Sequence, residues 1–219
     1  MNGTDGWTLL DQFLKKVVDT VDSHVSTVGY EILSEPQVHS SDQWEKIGAF
    51  NSFITDQLRT VTSKDIIFSM TIPVDLKSSI GVNATNLAKM TPSDKTNVVF
   101  KFSLYGLPKP GSYQEQRLKM FVNTGQIAGV PIYVGEWNNV DRDLTVNEEG
   151  DVVFEINPQT SNITPADTSL ILNKFNEVKV YGWAFWYWNF RSHRVDNFNL
   201  VIAEPVSYTH LTLPTTSRV

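Results

Sequence analysis

The chain has 219 residues, 41% hydrophobic and 19% charged, enough apolar material for one sizeable core and too much for a disordered or fibrous chain. A formal net charge of -6, with no basic cluster or basic amphipathic stretch, argues against nucleic acid or an anionic membrane as partner. With no cysteine there is no disulfide, thiolate nucleophile or cysteine metal site, and no run approaches the roughly 18 apolar residues of a membrane span.

Two hydrophobic periods alternate along the chain. NGTDGW after Met1 has neither the basic nor the apolar region of a signal peptide. Thr4 and Asp5 then precede a helical stripe of Trp7, Leu10, Phe13, Leu14, Val17, Val18 and Val21. A strand is expected over residues 28–33. Ser40 and Gln43 have the spacing of a capping box, and Trp44, Ile47, Phe50, Ile54 and Leu58 carry a second helix to about residue 63. Strands at 66–70 and 98–104 flank a polar connection with a short helix near Asn86. Ser112 and Glu115 make another capping box, opening a helix through Leu118, Phe121 and Val122 that ends at Gly125 or Gly129. A fourth strand follows at 131–135. Next comes an acidic stretch, 138–162, with a hairpin around Glu149 and Gly150; a loop of this length at a strand exit is a candidate substrate subsite. Thr164, Pro165 and Asp167 start a helix through Leu170, Ile171 and Phe175, and 180–188 form the last strand.

Strands alternating with helices imply parallel βαβ units in one α/β domain. A doubly wound sheet predicts a glycine-rich phosphate turn, and neither G-x-G-x-x-G nor G-x-x-x-x-G-K-[ST] occurs. A (β/α)8 barrel instead predicts chemistry at the C-terminal ends of several strands. There the sequence places SEP, ending in Glu35 and Pro36, and GEW, with Glu136. Tryptophans 183, 186 and 188 of the last strand would surround the same rim. A carboxyl pair about 5–5.5 Å apart is what retaining glycoside hydrolysis uses, one protonating the departing oxygen and the other attacking the anomeric carbon. Indole faces offer sugar C–H groups an apolar partner.

GYEILSEP, then PIYVGEWN with its glutamate 101 residues after Glu35, then YGWAFWYWN resemble strands four, seven and eight of glycoside hydrolase family 5, the cellulase-like family of the clan A barrels. The resemblance covers residues 5 to about 202. It implies a partial (β/α)8 TIM barrel of about five βα units, the first three missing, with Glu35 as acid/base and Glu136 as nucleophile. It further implies that Tyr105 bonds the nucleophile and that Trp186 lines the subsite of the attacked sugar; Ser34, at the position of a sugar-contacting family residue, and Trp137, a plausible subsite wall beside Glu136, are expected to meet substrate as well. The implied reaction is retaining hydrolysis of a β-linked polysaccharide such as β-glucan or mannan, with no cofactor and no metal, by a monomer that is extracellular when full-length.

Two positions depart from the family pattern. Ser34 stands where the family has Asn, and Ser103-Leu104-Tyr105 replaces His-x-Tyr. A catalytically degenerate carbohydrate-binding barrel, or a sister clan A glycosidase or transglycosylase, are the alternatives. A barrel with strands four to eight alone does not close, so the chain is expected to be a fragment. Residues 1–205 are expected to be the C-terminal part of the barrel. VSYTHLTLPT resembles a translated sequencing adapter, which sets residues 206–219 apart as a non-native tail.

Duller readings apply to several residues. Glu31 suits a polar group of the barrel interior or a partner of the catalytic pair. Trp44 and Trp183 suit core packing as well as a cleft wall. His24, His39 and His193 lack metal-ligand spacing, although His39 could line the cleft. The N-x-T triplets at Asn2, Asn83 and Asn162 are common by chance, and no G-x-S-x-G elbow is present.

Overall fold

In the computed structural model, which describes residues 3–36, 38, 40, 42–70, 84–137, 144–146, 152–154 and 168–185, five strands pair in parallel in one sheet. They are β1 (Gly29–Glu31), β2 (Asp65–Ser69), β3 (Val98–Leu104), β4 (Ile132–Trp137) and β7 (Gly182–Phe185), neighbours in that order. The helices are α1 (Gly3–Val21), α2 (Gln43–Leu58), α3 (Ala84–Met90), α4 (Tyr113–Ala128) and α5 (Thr168–Val178). A separate antiparallel pair, β5 (Leu144–Val146) and β6 (Val152–Phe154), flanks the expected Glu149–Gly150 turn.

The helices share one face of the sheet. Phe102 stacks on Phe121 of α4 at 4.4 Å, and Trp137 meets Phe175 of α5 edge-on at 5.7 Å. Leu58, Ile66, Phe100, Leu118, Ile132 and Val134 complete this layer, each nearly or fully buried. The opposite face carries Glu31, Lys101, Ser103 and Glu136, bonded to one another or to neighbouring polar groups. A doubly wound sheet is covered by helices on both faces. One apolar, helix-covered face and one polar inner face make a curled partial α/β barrel.

Local chemistry sets several element ends, in places differently from the sequence pattern. Gln43 is the first residue of α2, so it cannot act as the third-position partner of a capping box with Ser40. Asp42 holds the N-cap position without a side-chain cap bond, and its carboxylate pairs with Lys46 at 2.7 Å. The same helix stops at Leu58 rather than near residue 63. There Arg59 turns its guanidinium onto the carbonyls of Lys64 and Asn97, at 2.8 and 3.0 Å, tying the helix end to the β2 and β3 entrances. On α1, Phe13 is 61% exposed although it falls in the apolar stripe. It lies about 100° around the helix from Leu14, beyond the arc that meets the core. β1 ends at Glu31, whereas β4 runs through Trp137, longer than expected. Thr164, Pro165 and Asp167 lie outside the described residues, as do His39, His193, Asn2, Asn83, Asn162, Trp188 and the 206–219 tail.

The second box forms in its serine half, while its glutamate reaches back to the residue before the N-cap. Ser112 Oγ accepts from the Glu115 backbone N–H, and Glu115 Oε2 accepts from the Gly111 N–H at 2.8 Å. Gly129 closes α4 at φ 72°, where a side chain would be strained. Glu115 Oε1 also receives Lys119 and, from α5, Lys174 at 2.8 and 2.9 Å. Lys119, Lys174 and the Gly111 N–H hold the Glu115 carboxyl down at about 2 from an ordinary 4.5. A depressed carboxyl stabilises the fold above its unfolded value and loses that effect as pH falls through its folded one. Glu115→Gln is therefore expected to lower the urea midpoint at neutral pH, with the gap to the parent closing between about pH 4.5 and 2. A constant gap across that window would contradict the assignment.

Candidate active site

The site is built on the inner face of β3. In VVFKFSL, Phe100 and Phe102 face the helices, so alternation turns Lys101 and Ser103 inward. A lysine 3% exposed needs partners, since an unpaired buried charge is costly. Lys101 Nζ donates to Glu31 Oε1 at 2.7 Å, Glu136 Oε1 at 2.9 Å and Ser34 Oγ at 3.3 Å. Burial works against its charge. The hydrogen bonds and charges of Glu31 and Glu136 outweigh that, so its ionisation is raised above an ordinary lysine's.

Glu136 reaches the inner face through a bulge. Strict alternation from Val134, on the helix side, would send Glu136 toward the helices as well. Register slips there: Phe102 pairs with Val134, but Ser103 pairs with Glu136, leaving Gly135 as the extra residue. Both Gly135 and Glu136 consequently face inward and Trp137 faces out. Glu136 is 8% exposed. Lys101 donates to its Oε1 and the Tyr105 hydroxyl to its Oε2, so both oxygens have a donor, as suits an ionised carboxylate.

Glu35 is held differently. Its φ is 46°, in the left-handed region that a non-glycine residue occupies at a cost of about 1–2 kcal/mol. Its N–H donates to Ser69 Oγ at 3.0 Å, which fixes the turn into Pro36. Ser103 Oγ donates to Glu35 Oε1 at 2.5 Å. Arg117 of α4, buried over the Phe121 ring at 5.3 Å, lies within reach of the Glu35 charge. The two carboxylates therefore converge on β3: Ser103 touches Glu35 and pairs in register with Glu136, and Lys101 joins Glu136 to Ser34. A cavity of about 500 Å³ opens nearby between Trp7, Leu33, Phe50 and Phe68, but neither carboxylate lines it.

The sequence placed Glu35, Glu136, Ser34 and Tyr105 together, and they are together. Trp137 is a correction. It was expected against substrate, yet it is 2% exposed on the helix side, packed edge-on against Phe175, Trp183 and Phe185. The Gly135 bulge, which turns Glu136 inward, turns its neighbour outward. Trp183 shares that helix-side cluster rather than the rim, Trp44 is fully buried, and Trp186 lies outside the described residues. Trp137→Ala should cost about 3–5 kcal/mol in chemical denaturation, the range for truncating a buried aromatic. A loss within about 1 kcal/mol would mean that the cluster is not core. Lys101 and Gly135 were missed. The signal available for Lys101 was a single charge inside an otherwise apolar strand, which calls for a buried partner.

With this geometry in view, likeness to known proteins is informative. A family model described as Cellulase (glycosyl hydrolase family 5) matches residues 8–192. No curated protein sequence matches significantly. Among solved structures, the chain superposes on an endo-β-1,4-glucanase of Xanthomonas axonopodis pv. citri with TM-score 0.60 at 13% identity, covering 88% of this chain and 59% of that one. Cel5A of Thermotoga maritima, described in complex with mannotriose, gives TM-score 0.53 at 13% identity over 90% and 62%. The catalytic domain of alkaline cellulase K gives 0.52 at 17% over 83% and 50%. At these identities the likeness is one of fold. The chain spans about half to three-fifths of those structures' length.

Proposed function

The chain belongs to glycosyl hydrolase family 5, the cellulase family, and from that premise we propose that it is the carboxylate-bearing part of a retaining β-glycosidase acting on a β-linked polysaccharide. The observation that carries this reading is the convergence of Glu35 and Glu136 on β3 from the C-terminal ends of β1 and β4. Their environments differ in the way a double displacement needs. Glu136 is buried and held by two donors, which fits a fixed nucleophile aimed at the anomeric carbon. Glu35 is exposed, with Ser103 as donor to one oxygen, leaving the other free to pass a proton to the departing sugar oxygen. In the second step Glu35 would take a proton from water as that water attacks the glycosyl–Glu136 ester.

The five parallel strands fit strands four to eight of an eight-stranded barrel, with β1 and β7 as the edges that three further βα units would join. Residues 1–205 then form the C-terminal part of that barrel. Names of fold relatives, an endo-β-1,4-glucanase and a Cel5A in complex with mannotriose, favour β-glucan or mannan as the substrate class. Reducing-end release from β-glucan, carboxymethylcellulose and mannan by the full-length protein tests the proposal. Release from at least one is expected. Binding without release would replace it with the carbohydrate-binding reading.

A further inference from the structure

We propose that Lys101 is the positioning residue of the nucleophile: its buried ammonium clamps Glu136, while Glu31 and Ser34 hold the ammonium in place. This rests on the glycosidase reading, since it gives Glu136 the nucleophile's role. Lys101 is paired in register with Tyr133, one layer below Glu136 on the inner face. Its three acceptors come from β1, the segment after β1, and β4, so the ammonium fixes Glu136 relative to the acid/base segment Ser34–Glu35 as well as to its own strand.

Gly135 is the second, independent observation. A Cβ there would come within 2.5 Å of Lys101 Cγ, Cδ and Cε. The residue beside the nucleophile thus has no side chain where the lysine stem must pass. One glycine accomplishes two things: it is the bulged residue that turns Glu136 inward, and it leaves the channel through which Lys101 reaches it.

The charges around the ammonium are consistent with a clamp. Glu31 faces it from β1 and Glu136 from β4. Tyr133, also from β4, has a hydroxyl pushed up by burial and by Glu31, with Lys101 opposing. Tyr105 follows β3 and engages Glu136 on its other oxygen. Glu35 is engaged by Ser103 and by the charge of Arg117 from α4. Two carboxylates share one cation here, so the ammonium offsets repulsion between Glu31 and Glu136 that would otherwise disfavour an ionised nucleophile.

Lys101→Met in the full-length protein tests this. Expected is a fall in kcat of about 100-fold on an aryl β-glycoside, comparable to losing one preorganised donor, with KM little changed and the acid limb of the pH–rate profile moved to higher pH. Gly135→Ala, which displaces the stem without removing the charge, should reproduce both effects. Unchanged kcat and an unmoved acid limb in a folded Lys101→Met protein would overturn the proposal. A nitrogen-15 measurement of the Lys101 ammonium separates this from the glycosidase reading. A slowly exchanging signal that is altered in Glu136→Gln and in Glu31→Gln is expected, and fast exchange indifferent to both would overturn the clamp. An altered signal together with no hydrolysis by the parent would instead overturn the glycosidase reading, and with it the lysine's role in attack.

Discussion

Glu136→Gln is expected to remove hydrolysis of an aryl β-glycoside by the full-length protein by about 10⁴-fold or more, with the fold intact. Glutamine keeps the shape and one carbonyl oxygen that can accept from Tyr105, but its neutral amide lacks the charge and nucleophilicity needed to attack the anomeric carbon. The loss should not depend on leaving group, because every substrate must pass through the same ester. The structural cost is not zero: Lys101 keeps Glu31 but loses an anionic partner, so a modest drop in denaturation midpoint should accompany inactivity. Residual activity within about tenfold of the parent would remove Glu136 from the nucleophile's role.

Glu35→Ala should behave differently, and the difference is diagnostic. General acid assistance contributes about 10²–10⁴-fold, and it matters most when the leaving group is basic. The variant is expected to lose that much in kcat/KM on polysaccharide or on a phenyl glycoside, yet far less in kcat/KM on a dinitrophenyl glycoside, whose departing oxygen needs no proton. With that substrate the second step becomes limiting, since no base remains to activate water. Azide, which attacks without base help, should then restore turnover and release a β-glycosyl azide. Equal losses on both substrates with no azide effect would mean that Glu35 is not the acid/base.

The extent to which the sequence disclosed this site follows from what each residue depends on. Glu35, Ser34, Tyr105 and Glu136 sit at or beside strand ends, and strand ends can be placed from hydrophobic period alone, so their gathering was foreseeable. Trp137 was misplaced for a reason that no period count reveals. One extra residue in β4, Gly135, inverts the alternation over its last two positions, exchanging the faces of Glu136 and Trp137. Lys101 was hidden by its context, since VVFKFSL reads as a buried strand whether or not the lysine has a partner. Its three acceptors lie 70, 67 and 35 residues away in sequence, a proximity that only the folded sheet creates. At the helix ends, Ser112 accepts from the Glu115 N–H because Ser112 itself is the N-cap. Ser40 and Gln43 form no box, because α2 begins at Gln43.

The central claim is that Glu136 forms a covalent bond to sugar. Incubating the full-length protein with a dinitrophenyl 2-deoxy-2-fluoro-β-glycoside, then digesting it and sequencing the labelled peptide by mass spectrometry, tests this most directly. A fluoroglycosyl adduct on Glu136, in the peptide segment PIYVGEWNN, is the predicted result. An adduct on another carboxylate, or no adduct together with an inverted sugar as the first product of a natural substrate, would contradict it.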